Sequence, residues 1–242
     1  MALSYKGKTG IVTGGGSGIG KAIALRLAKM GMNVAIAGRN KARLESAAEE
    51  IEKCGAKALV IAADLIKLED IERIVSETAE TFGSIDVLVN NAGLPLGKPF
   101  EECSWDEFND IMNTNARAPF FLCQKASPYL KKSDCGAIVN ISSVVGHKGY
   151  IYQSIYSASK HALSGLTKAI AKELQDSDVR VHLISPGGVY TEMVGATRPE
   201  LDPTFLIKPD DIAEIVEFLL VNRGNAIIDS IDVRRISNTP FV

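Results

Sequence analysis

Thr13-Gly14-Gly15-Gly16-Ser17-Gly18-Ile19-Gly20 follows a short β-branched run and opens directly into a segment whose apolar residues recur at helical spacing. A strand-to-helix turn this rich in glycine lets backbone approach a diphosphate closely, and the start of the helix adds unbonded N–H groups and positive dipole charge. Two spacings can be read in it. From Gly15, the series Gly15, Gly20, Lys21 satisfies most of a nucleoside-triphosphate loop, but Ala22 stands where a hydroxyl must hold magnesium. The other spacing, Gly14, Gly18 and Gly20, with Gly16, Ser17 and Ile19 between, is a variant of the dinucleotide fingerprint G-x-G-x-x-G. A tight turn in which Gly20 merely lets helix and strand touch is the structural alternative to both.

Outward from this turn the chain alternates short strand-like runs with longer helical ones. Strands are expected over 9–13, 33–37, 58–62, 87–90, 137–141, 181–185 and 226–233. Helices are expected over 19–30, 41–53, 68–81, 105–130, 156–175 and 209–221. That alternation predicts an α/β fold: one Rossmann-type, doubly wound parallel sheet of seven strands in three layers, a single domain over 1–242. The glutamate-rich stretch 43–53 carries an apolar stripe of Leu44, Ala47, Ala48 and Ile51, so it reads as the solvated side of a packed helix. The irregular stretch 195–208, with Pro199 and Pro203, is the one candidate for a lid or else a plain surface connection.

Composition narrows the function classes. Lys plus Arg number 27 against 29 for Asp plus Glu, a net charge of −2, which disfavours a nucleic-acid partner. With 46% hydrophobic residues the chain can build a full core, yet no run approaches the length of a membrane span, and residues 1–20 lack a signal-peptide core. A cytoplasmic protein is expected. The cysteines at 54, 103, 123 and 135 have no metal-ligand spacing and read as idle thiols.

The second strand ends Ala37-Gly38-Arg39, where dinucleotide folds usually place an acid against the ribose diol. A guanidinium there suits a 2′-phosphate, so NADP is expected over NAD. Asp64 can reach an adenine edge or cap a turn. Asn91, Ala92 and Gly93 close the fourth strand at the ligand-binding edge, where buried amides either tie strands together or touch ligand. Tyr156 and Lys160 stand four apart on one helical face, and Ser143 follows the fifth strand. A phenol ordinarily titrates near pH 10, and a neighbouring ammonium favours its ionised form, which brings it toward useful acid–base work.

The glycine turn, Asn90-Asn91-Ala92-Gly93, Asn115, Ser143, Tyr156-x-x-x-Lys160 and Pro186-Gly187 with Thr191 occur in an order that resembles the short-chain dehydrogenase/reductase family, of the 3-oxoacyl-reductase-like kind. The resemblance implies hydride transfer between a nicotinamide cofactor and a carbonyl or alcohol carbon of a small or medium substrate. It implies that Tyr156 exchanges the proton, Ser143 holds the substrate oxygen and Lys160 lowers the Tyr156 pKa and binds the nicotinamide ribose. Asn115 would hold a water joining Lys160 to solvent, and Pro186, Gly187 and Thr191 would border the nicotinamide. It also implies a homodimer or homotetramer. Relatives often end the last strand Val-Asp-Gly-Gly, whereas this chain reads Ile231-Asp232-Val233-Arg234-Arg235, which puts the tetramer contact in question. The short span from Thr191 to Pro209 suggests a shallow pocket. His147, Tyr150, Tyr152, Tyr190 and Met193 flank the site, while His161 and His182 read as structural. A 3-oxoacyl-[acyl-carrier-protein] reductase and a non-catalytic dinucleotide sensor are the alternatives; the four reactive positions speak against the sensor.

Overall fold

A computed structural model describes residues 4–197 and 200–240; Pro199, expected within the irregular stretch, lies outside them. Seven parallel strands run in the order β3-β2-β1-β4-β5-β6-β7. They are β1 (Thr9–Thr13), β2 (Asn33–Gly38), β3 (Ala58–Ala62), β4 (Val87–Asn90), β5 (Ala137–Ile141), β6 (Arg180–Pro186) and β7 (Ser230–Val233). The helices are α1 (Gly18–Lys29), α2 (Lys41–Lys53), α3 (Leu68–Phe82), α4 (Trp105–Met112), α5 (Ala118–Leu130), α6 (Ser154–Glu173), α7 (Glu192–Thr197) and α8 (Pro209–Val221).

Strand direction and alternation explain the layers. In β1, Val12 faces a core shared with Ile23 and Leu27 of α1, Leu44 and Ile51 of α2, and Val216 and Leu220 of α8. Ile11 faces the opposite core, with Ile71 and Ile74 of α3 and Leu122 and Ala126 of α5. Burial on both faces is what a parallel sheet requires. The order reverses between β1 and β4, and the carboxyl ends of those two strands open the crevice in which doubly wound folds bind ligands.

Two expectations need correction. The single helix over 105–130 is instead α4, a wide π turn over Asn113–Arg117, and α5. The cause is Pro119, which has no N–H for the carbonyl of Asn115 four residues earlier and whose ring crowds it. The helix accommodates it by widening, and Ala118 N–H reaches five residues back to the carbonyl of Asn113. The seventh strand is also shorter than the expected 226–233. The Arg180 guanidinium donates to the carbonyls of Asn222 (2.8 Å), Gly224 (2.6 Å) and Ala226 (3.5 Å), so this segment curls around a buried cation before it can pair. Ile228 then accepts from His182 Nδ1 at 2.7 Å, which gives His182 its structural role.

Candidate active site

The glycine turn is tied to the end of β4 by one hydroxyl. Thr13 Oγ1 accepts from the N–H groups of Asn91 (3.0 Å) and Ala92 (3.1 Å), and Asn91 Nδ2 donates back to the Thr13 carbonyl (2.9 Å). Gly20 completes the join: a Cβ there would lie 2.3 Å from the Gly14 carbonyl oxygen and 2.4 Å from Asn91 Nδ2. Gly14 and Gly18 hold positive φ angles of 68° and 52°, which glycine adopts without penalty. Asn90 belongs to a different network, donating to Asn140 Oδ1 at 2.8 Å while Asn140 donates to Thr167 Oγ1 at 2.9 Å. The amides at the end of β4 therefore tie strands together.

A cleft of about 970 Å³ runs across this edge. Gly14, Gly16, Ser17, Gly18 and Ile19 line it from the turn, and Asn91, Ala92 and Gly93 from β4. Arg39 and Asp64 also line it, as do Tyr156, Lys160 and Thr191. Ser17 makes no side-chain cap to α1, and the first turn of that helix carries no acidic side chain. Its leading N–H groups are thus left to a ligand, and their field favours an anion. Asp64 Oδ1 accepts from Ile66 N–H at 3.2 Å, so it closes a turn and also lines the cleft. Arg39 is exposed at the rim. Lys21 is paired with Glu50 at 2.8 Å. Arg43, in the first turn of α2 just after the loop that carries Arg39, also lines the cleft and reaches Glu192 of α7 at 2.7 Å.

A second cavity of about 160 Å³ adjoins, lined by Ser143, Gly187, Tyr150, Met193 and others. Tyr156 and Met193 line both cavities. Tyr190 lines the large one only, and Tyr152, with φ 66°, lines neither. Gly20 and Asn115 lie behind the cleft walls, and Pro186 touches the site through its carbonyl, which accepts from Ser143 Oγ at 3.4 Å. His147 turns to Ser185 (3.0 Å) and Asp232 (3.4 Å), and His161 to the carbonyl of Ser157 (2.9 Å).

The reactive groups depart from expectation in two respects. Lys160 Nζ donates to the Ile141 carbonyl at 3.0 Å and lies 5.8 Å from the centroid of the Tyr156 ring. Burial dominates both groups: it pushes the Tyr156 phenol up to about 12, with the Ser143 hydroxyl pulling it back only in part, and the Lys160 amine down to about 8. Asn115 is wholly buried, and its two amide hydrogens go to the Leu94 carbonyl and Ser159 Oγ, each at 3.0 Å. Its Oδ1 accepts from Leu94 N–H at 2.7 Å, so the side chain pins the loop after β4 to α6.

A lysine whose amine is lowered from 10.5 to about 8 by burial weakens the fold fully below pH 8, and less as pH rises toward 10.5. Lys160→Met is therefore expected to melt a few degrees higher than the natural chain at pH 7, with the gap closing by pH 10.5. Thermal denaturation across that pH range checks this, and a constant gap would contradict it.

A family model described as short chain dehydrogenase matches residues 8–202. The chain is 36% identical to a 3-oxoacyl-[acyl-carrier-protein] reductase FabG of Staphylococcus aureus over 230 residues, covering 91% of this chain and 93% of that one. It superimposes on a metagenomic short-chain oxidoreductase in complex with NADP (TM-score 0.84, 32% identity, 96% of this chain and 99% of that one). It also superimposes on an alcohol dehydrogenase of the archaeon Thermococcus sibiricus complexed with 5-hydroxy-NADP (TM-score 0.89, 31% identity, 96% and 98% covered). With the glycine turn, the cleft and the Tyr156–Lys160 pair in these positions, the chain belongs to the short-chain dehydrogenase family of oxidoreductases.

Proposed function

We propose that one unit spanning 1–242 binds NADP and catalyses hydride transfer between the nicotinamide and a carbonyl or alcohol carbon. The observation that carries this reading is the position of Tyr156, lining both the long cleft and the small cavity, with Ser143 on the small side and Lys160 on the long side. The residues fit a dinucleotide phosphate: the uncapped start of α1 suits the diphosphate, and Arg39, with Arg43 beside it, suits a 2′-phosphate. Bound there, NADPH would supply a hydride to the carbonyl carbon, and NADP+ would accept one in the reverse direction.

The chain's own residues handle the oxygen. Ser143 donates a hydrogen bond that strengthens as negative charge grows on it. Tyr156, kept protonated by burial, delivers the proton to the oxygen, which balances reduction of ketone to alcohol. Lys160, one turn along α6 and charged at neutral pH, would bind the nicotinamide ribose hydroxyls and stabilise the phenolate left behind. Pro186, Gly187 and Thr191 would border the nicotinamide. The Asn115 carbonyl, which Pro119 cannot bond, is the atom of that residue suited to hold a water beside Lys160.

No helix among the described residues is long and apolar enough to cross a membrane. The unpaired cysteines accord with a cytoplasmic home. Exposed Phe100, Trp105 and Phe108 around α4 accord with assembly into a homodimer or homotetramer. A second reading, reduction of a 3-oxoacyl group, is favoured by the similarity to the staphylococcal reductase.

The decisive experiment follows nicotinamide absorbance with ketones, aldehydes, 3-oxoacyl esters, sugars and steroids, each with NADPH and with NADH. No turnover of any of them would leave the reading without support. In the same assay Arg39→Ala is expected to raise the KM for NADPH roughly tenfold or more, since a charge-assisted hydrogen bond contributes about 1.5–3 kcal/mol, and to leave NADH unchanged. Equal losses would show that this arginine does not read the phosphate.

A further inference from the structure

The tail after β7 carries a charge that the cofactor does not need. Val233 accepts from Gly187 N–H at 2.7 Å, which fixes the end of β7 beside β6. Beyond it, Arg234 Nη1 donates to the carbonyls of Arg235 (3.2 Å), Ile236 (3.5 Å) and Asn238 (2.9 Å), and Asn238 N–H donates to the Arg235 carbonyl at 3.0 Å. This closes a compact turn from which Arg235 and Asn238 both line the small cavity beside Ser143 and Tyr156. Gly188 lies alongside the arginine, within ordinary van der Waals distance of Arg235 Cδ.

Among the described residues Arg235 is the only charged one lining that cavity, and no Asp or Glu lines it. Its Nε is buried without a hydrogen-bond partner, and its guanidinium makes no ion pair with any described residue. The nearby acid Asp232 faces His147 instead, at 3.4 Å. A buried guanidinium N–H left unbonded is costly and calls for a partner. A carboxylate meets the planar fork bidentately. At about 160 Å³ the cavity has the volume of roughly five waters at about 30 Å³ each, which suits a compact molecule.

We infer that the substrate is a small oxo acid, or in reverse a small hydroxy acid, whose carboxylate is held by Arg235 with Asn238 beside it while its carbonyl oxygen faces Ser143 and Tyr156. This rests on the oxidoreductase reading, and it adds the substrate's charge.

The test pairs acetoacetate with methyl acetoacetate, and levulinate with methyl levulinate. Binding to the NADP+-saturated enzyme is measured by calorimetry and reduction with NADPH by absorbance. The acids are expected to bind and react better than their esters. Arg235→Gln should weaken the acids about 10- to 100-fold, as loss of a charge-assisted bond predicts, and leave the esters within about twofold. Arg235→Lys should retain part of the preference for acid, as a point charge does. Melting curves confirm that each variant is folded. Esters bound as well as acids by the natural chain, or a preference for acids that survives in Arg235→Gln, would overturn the proposal. Arg235-dependent binding of acids without turnover of any pair would uphold the carboxylate site and overturn the reductase reading. Turnover of esters alone would do the opposite.

Discussion

Tyr156→Phe is expected to lower kcat by about 10²- to 10⁴-fold, the usual contribution of a positioned acid, with NADPH affinity held within about twofold. The variant removes one oxygen from a half-buried ring and keeps its packing between the two cavities. What it loses is the proton that must reach the substrate oxygen as the hydride arrives. Ser143 does not replace it: an alkoxide is a far stronger base than a phenolate, so the serine hydroxyl steadies the oxygen by a hydrogen bond and keeps its own proton. Steady-state kinetics on whichever carbonyl compound proves active, together with fluorescence titration of NADPH, checks both halves. Turnover within tenfold of the natural chain would remove Tyr156 from its role.

Gly20→Ala should have the largest effect on the fold. The added methyl would sit 2.3 Å from the Gly14 carbonyl oxygen and 2.7 Å from its carbon, so backbone of the glycine turn has to move. Asn91, 2.4 Å from that methyl, must move as well, which endangers its bond to the Thr13 carbonyl. Overpacking of this kind costs about 1–3 kcal/mol or more, or some 2–12 °C in Tm at about 2–4 °C per kcal/mol for a chain of this size. Dinucleotide affinity should fall at least about tenfold, because the same backbone faces the cleft. Gly165→Ala is the matched control. It is exposed within α6 with nothing within 4 Å of its Cβ, and it should stabilise by about 0.4–1 kcal/mol. Similar melting shifts in the two variants would refute the account of the turn.

Much of the fold could be read from the sequence because its parallel strands are buried on both faces and therefore appear as unbroken apolar runs. β1, β4 and β5, buried throughout, stand at the expected residues for that reason. The seventh strand was misjudged because a distant side chain overrode local pattern, whereas the break in the long helix traces to Pro119 within it. Nothing near residues 226–229 announces that Arg180, more than forty positions earlier, will take their neighbours' carbonyls. The turn and the tyrosine–lysine pair were legible because each has a fixed local spacing. The hydrogen bonds of Asn115 were not, since they go to Leu94 and Ser159, twenty-one positions before it and forty-four after. Arg235 showed in the sequence only as a departure from the usual tail. Its place in the small cavity follows from the turn that Arg234 closes.

Pro119 carries no acid, base or charge and stands within the long helical run, yet it shapes the wall behind the lysine. By withholding a single amide hydrogen it forces the widened turn that carries Asn115, the side chain that pins the loop after β4 to α6. The placement of that loop then depends on a residue valued for the group it lacks, one that a search for reactive side chains would pass over.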